Sequence, residues 1–111
     1  MSILMSTVTF LSQGQLKGLE AAIRDGCCSL LDVREKHEFE AGHIPLATNR
    51  PLSEVTRWQA GLDKVRPVVL YCRTTNRSRR CAEVLCAQGF REIYVLDGGY
   101  AAWASHDPSR S

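Results

Sequence analysis

Five cysteines are the residues of this 111-residue chain whose chemistry most needs an account. Their odd number leaves at least one thiol unpaired. Met1 to Phe10 has neither a basic start nor a sustained apolar run, so no secretion signal is read there. Free thiols in a reducing cytoplasm are therefore expected, rather than a disulfide framework. Cys27 and Cys28 are neighbours, Cys81 and Cys86 are five apart, and His37, His43 and His106 are scattered. No C-x-x-C or Cys/His spacing suits zinc, and no metal is expected. Nucleophilic thiol chemistry remains, and its candidate is Cys72. In the segment Cys72-Arg73-Thr74-Thr75-Asn76-Arg77-Ser78 two arginines lie close to one thiol. Positive charge beside a thiol favours the thiolate, the form that attacks.

Charge narrows what such a thiol could meet. The chain carries 14 Lys and Arg against 12 Asp and Glu, a net charge of +2. Between Asp63 and Glu83 no acidic residue occurs, while Lys64, Arg66, Arg73, Arg77, Arg79 and Arg80 do. The stretch Asp32 to Glu40 is acidic instead, with Asp32, Glu35, Glu38 and Glu40. Near-neutrality excludes a general polyanion binder, whereas the local basic cluster permits a site for a small anion. No aromatic residues interleave with Arg77, Arg79 and Arg80, so nucleic acid is not an expected partner. Nor is a membrane: no apolar run approaches the roughly 18 residues that a span requires. At 44% hydrophobic and 23% charged, the chain is globular, and its length suits one domain over 1–111.

The elements that must position Cys72 follow from periodicity. Ser12 caps a helix in a capping-box pattern with Gln15, Leu16, Leu19 and Ile23 share one face, and Gly26 ends it. Ser29 to Val33 is a short apolar run with the look of a buried strand. Residues 34–43 are polar and charged and close on Gly42 and Pro45. An extended piece at Ala47 to Asn49 precedes a small helix from Glu54 to about Ala60, capped by Ser53. Val68 to Tyr71 is the strongest strand. A helix from Arg77 or Ser78 to Gln88 follows, stopped by Gly89. Glu92 to Leu96 is another strand, Asp97-Gly98-Gly99 a turn, and Tyr100 to Ala104 a last helical piece. Strands alternating with helices imply an α/β domain with a mainly parallel sheet. Its core spans about residues 9–104, with the first residues and 105–111 expected to fray.

In such a sheet, ligands bind beyond the carboxyl ends of strands, where loops enter helices. Cys72 sits at that place, at the end of the strongest strand and just ahead of a helix whose first N–H groups favour an anion. Cys27, Cys28, Cys81 and Cys86 lack this setting and are expected to be packing residues. Trp58 and Trp103 are expected to pack as well.

Three motifs in register carry a family resemblance. Leu31-Asp32-Val33-Arg34-Glu35, Glu38-Phe39, Gly42-His43-Ile44-Pro45 and Ala47 resemble the first signature of the rhodanese (thiosulfate sulfurtransferase) domains. Tyr71 to Ser78 resembles their active-site loop, and Leu96-Asp97-Gly98-Gly99 with Trp103 their closing motif. The resemblance implies a central, mostly parallel five-stranded sheet with helices on both faces. It implies Cys72 as a nucleophile that accepts sulfur from thiosulfate or a related persulfide donor and passes it to a thiol or an acceptor protein. It calls for no cofactor. Loop amides from Arg73 to Ser78, with Thr74, Thr75 and Asn76 between, would bind the donor's sulfur, and Arg77 and Arg73 its charge. Asp32, Arg34 and His43 would support the loop structurally.

Two comparisons of loop sequence bear on this reading. Many family loops carry glycine where this chain has Thr75, and a position requiring a positive φ would strain a β-branched residue. The related cysteine phosphatases and arsenate reductases place arginine six residues after the nucleophile. Here that position is Ser78 and the arginine is Arg77, so the tighter loop suits a single sulfur atom. The alternatives are thus a non-catalytic binding or regulatory module, against which the retained Cys72 argues, and a phosphatase or reductase, against which loop length argues.

Overall fold

A computed structural model of the protein describes residues 7–106. Five strands form one sheet: β1 (Thr7–Leu11), β2 (Ser29–Asp32), β3 (Thr48–Asn49), β4 (Val68–Tyr71) and β5 (Glu92–Leu96). Their order is β1-β5-β4-β2-β3 and every pairing among them is parallel, so the sheet is wholly rather than mostly parallel. β4 lies at its centre with all four residues buried, as a continuous apolar run requires when both faces are covered.

Alternation along the strands builds two cores. Val68 and Leu70 of β4, Ile93 and Val95 of β5, and Leu31 of β2 face one side. There they meet Cys81, Ala82 and Leu85 of α5 (Asn76–Ala87), together with Val55 of α4 (Val55–Trp58). Val69, Tyr71, Leu96 and Leu30 face the other side. They meet Leu16 of α1 (Gln13–Lys17), Ile23 of α2 (Glu20–Arg24), and Tyr100 and Trp103 of α6 (Gly99–His106). Burying each such Leu, Ile or Val side chain fully contributes about 1.5–3 kcal/mol. Among the described residues no helix is long and apolar enough to cross a membrane.

Four local expectations need correction. The helix expected from Ser12 to Gly26 is two short ones: the Ser12–Gln15 capping box forms, but the Gly18 N–H closes on Gln15 and Leu16 and the first helix ends there. Glycine is a weak helix former, and Gly14 and Gly18 both fall in this stretch. The stretch at 34–43 contains a helix, α3 (Lys36–Ala41), capped by Glu35 and Glu38 rather than signalled by apolar periodicity. Ser53 caps nothing. Its hydroxyl donates to Glu35 Oε2 at 3.0 Å, and α4 is one turn between two 3₁₀ turns. The core begins at Thr7, two residues before the expected boundary. Thr7–Leu11 forms an edge strand paired with β5, Phe10 opposite Val95, and α6 runs on through His106. The rest of the expected fraying, at 1–6 and 107–111, lies outside the described residues.

This topology places a crevice. From β2 the chain crosses through α3 outward to β3, whereas from β4 it crosses through α5 the opposite way to β5. The adjacent strands β2 and β4 are therefore a topological switch point, with a gap beyond their carboxyl ends. One wall comes from the segment after β2 and the other from the segment after β4.

Candidate active site

Cys72 follows directly on β4, at that gap. It is 1% exposed, and the Ser78 N–H donates to its Sγ at 3.4 Å. Ser78 is the third residue of α5, so its N–H is one of the four at a helix start without an intrahelical acceptor. The sulfur supplies that acceptor and sits at the positive end of the helix dipole. The Ser78 hydroxyl donates onward to the Thr75 carbonyl at 3.0 Å and lies 3.5 Å from Sγ, where it accepts from the thiol. Ser78 itself is fully buried. The loop tightness expected from the position of Arg77 thus has a concrete form: where a longer loop would carry arginine, a small hydroxyl closes the turn against the sulfur.

Thr75 is not strained. Its φ is −140° and its ψ −21°, outside the left-handed region. Its hydroxyl accepts from the Gly98 N–H at 3.3 Å, and its carbonyl accepts from the Arg79 N–H at 2.9 Å as α5 begins. The loop at 72–75 is also fastened from behind. The Tyr100 N–H donates to the Cys72 carbonyl at 2.8 Å and the Ala101 N–H to the Arg73 carbonyl at 2.9 Å. Gly99 permits that approach, because a Cβ there would lie 2.4 Å from the Cys72 oxygen and 2.3 Å from the Thr74 oxygen. The Gln13 side-chain amide then ties α1 to the Asp97 carbonyl at 2.9 Å.

Arg77 has a partner that sequence reasoning missed. Its two terminal nitrogens donate to the two oxygens of Glu38 at 2.7 and 3.0 Å. The Arg77 hydrogen bond holds the Glu38 carboxyl down to about 2, and Glu38 in turn raises the guanidinium. The signal was present as charge: the acidic stretch after β2 and the basic stretch after β4 meet across the switch point. Arg73, Thr74 and Asn76 are exposed on the rim.

Behind the site, the Arg34 guanidinium and the Asp32 carboxylate form a buried pair at 2.7 Å. Arg34 also donates to the Gly42 carbonyl at 2.6 Å and lies over the Tyr100 ring at 4.5 Å. Both charges are thus satisfied while joining β2, the segment after α3, and α6. The Tyr71 hydroxyl accepts from the Ile44 N–H at 3.0 Å. His43 is exposed, with its ring stacked on Phe39 at 3.7 Å and its Nδ1 2.9 Å from the Phe39 carbonyl.

The other cysteines divide. Cys81 is fully buried in the core that also holds Cys72, and burial pushes its thiol up to about 12. Burial also raises Cys28. Cys86 is half-buried against the same core. Cys27, however, is exposed and not a packing residue, because it lies in the turn before β2 rather than in the strand. Among the described residues no group of His, Cys, Asp and Glu gathers to hold a metal ion. A cleft of about 550 Å³ is lined by residues such as Leu16, Ile23, Ile44 and Trp103 and by none of the Cys72 loop.

A switch-point thiol cradled at a helix start, closed by a Gly-Gly turn and backed by an Asp-Val-Arg strand end, defines a class. The chain belongs to the rhodanese-like domain family, whose model matches residues 15–106. It is 34% identical over 80 residues to the thiosulfate sulfurtransferase GlpE of Coxiella burnetii, covering 72% of this chain and 75% of that one. It is 46% identical over 74 residues to the uncharacterized protein YqhL of Bacillus subtilis, of whose length the match covers 59%. Among solved structures it resembles the human single-domain sulfurtransferase TSTD1, with a TM-score of 0.76, 25% identity, and 88% and 96% of the two chains covered. A rhodanese-related protein from Thermoplasma volcanium gives 0.72, with 27% identity over 87% and 91%.

Proposed function

We propose that the protein is a sulfurtransferase that carries sulfane sulfur on Cys72. The observation that carries this reading is the Ser78 N–H directed at Sγ from the start of α5. That donor supports the negative charge that Sγ bears before it attacks and regains when the outer sulfur is passed on. In the first half-reaction the Cys72 thiolate attacks the outer sulfur of thiosulfate or a related donor. The donor's S–S bond breaks, sulfite or the corresponding thiolate leaves with the bonding pair, and Cys72 becomes a persulfide. In the second, a thiol of a small molecule or an acceptor protein attacks the outer sulfur, and the Cys72 thiolate departs. Two half-reactions sharing one covalent intermediate give ping-pong kinetics. The chemistry needs Cys72 reduced, which suits the cytoplasm.

Intact-mass spectrometry after incubation with thiosulfate tests the reading. A one-sulfur adduct is expected in the wild type, lost in Cys72→Ala and discharged by added thiol. An adduct that persists in the variant would remove Cys72 from the role. No adduct, with hydrolysis of an aryl phosphate instead, would overturn sulfur transfer altogether.

A further inference from the structure

Resting on that reading, we propose that Glu38 sets the charge of the sulfur donor: its two-point pairing with Arg77 withholds the guanidinium from an incoming anion, so that the site takes low-charge donors of the persulfide class in preference to dianions. The pair joins the segments that follow β2 and β4, Arg77 directly precedes the Ser78 whose N–H meets Cys72 Sγ, and both side chains remain in partial contact with water, Arg77 34% and Glu38 24% exposed. It is also held in place. Glu38 Oε1 accepts from the Glu35 N–H at 3.0 Å as well as from Arg77, and α3 is capped by this same carboxylate. Swinging Arg77 toward a donor would therefore break two charge-assisted hydrogen bonds. With the pair closed, its net charge is zero. Arg73, exposed and in no ion pair among the described residues, is then the positive charge left on the loop's rim.

Coulomb energy is linear in donor charge, so freeing one positive charge multiplies the rate by a constant factor for each unit of negative charge on the donor. Glu38→Gln keeps the shape and one acceptor while removing the neutralising charge. Thiosulfate and methanethiosulfonate both present a sulfane sulfur on a sulfonyl group, as a dianion and a monoanion. Against the rate of Cys72 alkylation by uncharged iodoacetamide, Glu38→Gln is expected to raise persulfide formation about threefold from the monoanion and about ninefold from the dianion, roughly the gain for unit charges several ångströms apart near water. Arg77→Gln, which leaves Glu38 bare, is expected to lower both in the same squared relation. It serves as the second variant should Glu38→Gln not fold.

A readout independent of sulfur transfer is the ratio of Cys72 alkylation by iodoacetate to that by iodoacetamide, followed on the Cys72 peptide. Glu38→Gln should raise it about threefold. Equal changes for all probes, whatever their charge, would overturn the proposal and reduce the pair to a structural clasp. A shifted alkylation ratio without any sulfur adduct would instead sink the sulfurtransferase reading and leave the charge-setting role of Glu38 standing.

Discussion

Gly99→Ala isolates the claim that the closing turn holds the reactive loop in shape. The added Cβ would lie 2.3 Å from the Thr74 oxygen, 2.4 Å from the Cys72 oxygen and 2.9 Å from the Arg73 carbonyl carbon, where ordinary contact begins at 3.4 Å. All three are backbone atoms, so no flexible side chain can swing away. Gly99 also has φ +54°, a left-handed conformation that costs alanine roughly 1–2 kcal/mol. Relief of the clash requires a shift on the order of 1 Å between the 72–74 loop and the start of α6. Such a shift breaks the bonds from Tyr100 and Ala101 to the Cys72 and Arg73 carbonyls, at about 1 kcal/mol each. The sum is about 3–4 kcal/mol. At about 4–8 °C per kcal/mol for a domain of this size, the melting temperature should fall by roughly 12–30 °C.

Displacement also moves the nucleophile. At a temperature where circular dichroism shows the variant folded, its rate of sulfur-adduct formation should fall about 100-fold, the usual penalty for a misplacement of that size. Gly14→Ala is the control: no heavy atom lies within 4 Å of its Cβ, and in α1 alanine should stabilise by up to about 1 kcal/mol. Matching melting temperatures and adduct rates for the Gly99 variant, the Gly14 variant and the wild type would refute the reasoning.

The Glu38–Arg77 pair predicts an acid-dependent stability. Arg77 holds the Glu38 carboxyl at about 2 against an ordinary value of 4.5, so its contribution is complete above 4.5 and is lost as pH falls toward 2. With partial exposure the contribution should be about 1–2 kcal/mol. Urea unfolding of the wild type and Glu38→Gln should therefore converge across that window, and a gap that did not change with pH would show that the pair contributes nothing. Cysteine accessibility makes a second forecast. Under native conditions an alkylating reagent should label exposed Cys27 first, and should label Cys81, fully buried and pushed up to about 12, last. Early labelling of Cys81, read from a peptide-mass time course, would mean that α5 opens locally.

What the sequence revealed and what it hid have separate physical causes. β4 was legible because a strand covered on both faces must be apolar throughout, and Cys72 because it follows that strand and precedes a helix. β1 escaped because an edge strand needs less apolar character. Its Val8 and Phe10 are exposed, and Thr9 separates them. α3 escaped because capping carboxylates hold it, and polar residues carry no periodic signal.

The loop divides the same way. The identity and spacing of Cys72 and Ser78 limit which atoms can meet, since residues one and seven beyond the end of β4 cannot lie far from it. Thr75 shows the limit of reasoning from a usual residue type. A glycine common at a position does not establish that its φ is positive there, and in this chain the threonine hydroxyl instead bonds the Gly98 N–H. Glu38 shows the other limit. It stands 39 residues before Arg77, and only the switch point between β2 and β4 brings the two together. Chain-local reasoning assigned Arg77 a free charge, whereas the topology assigned it a partner. The charge that a donor meets at Cys72 is thus set by the strand order as much as by the composition of the loop.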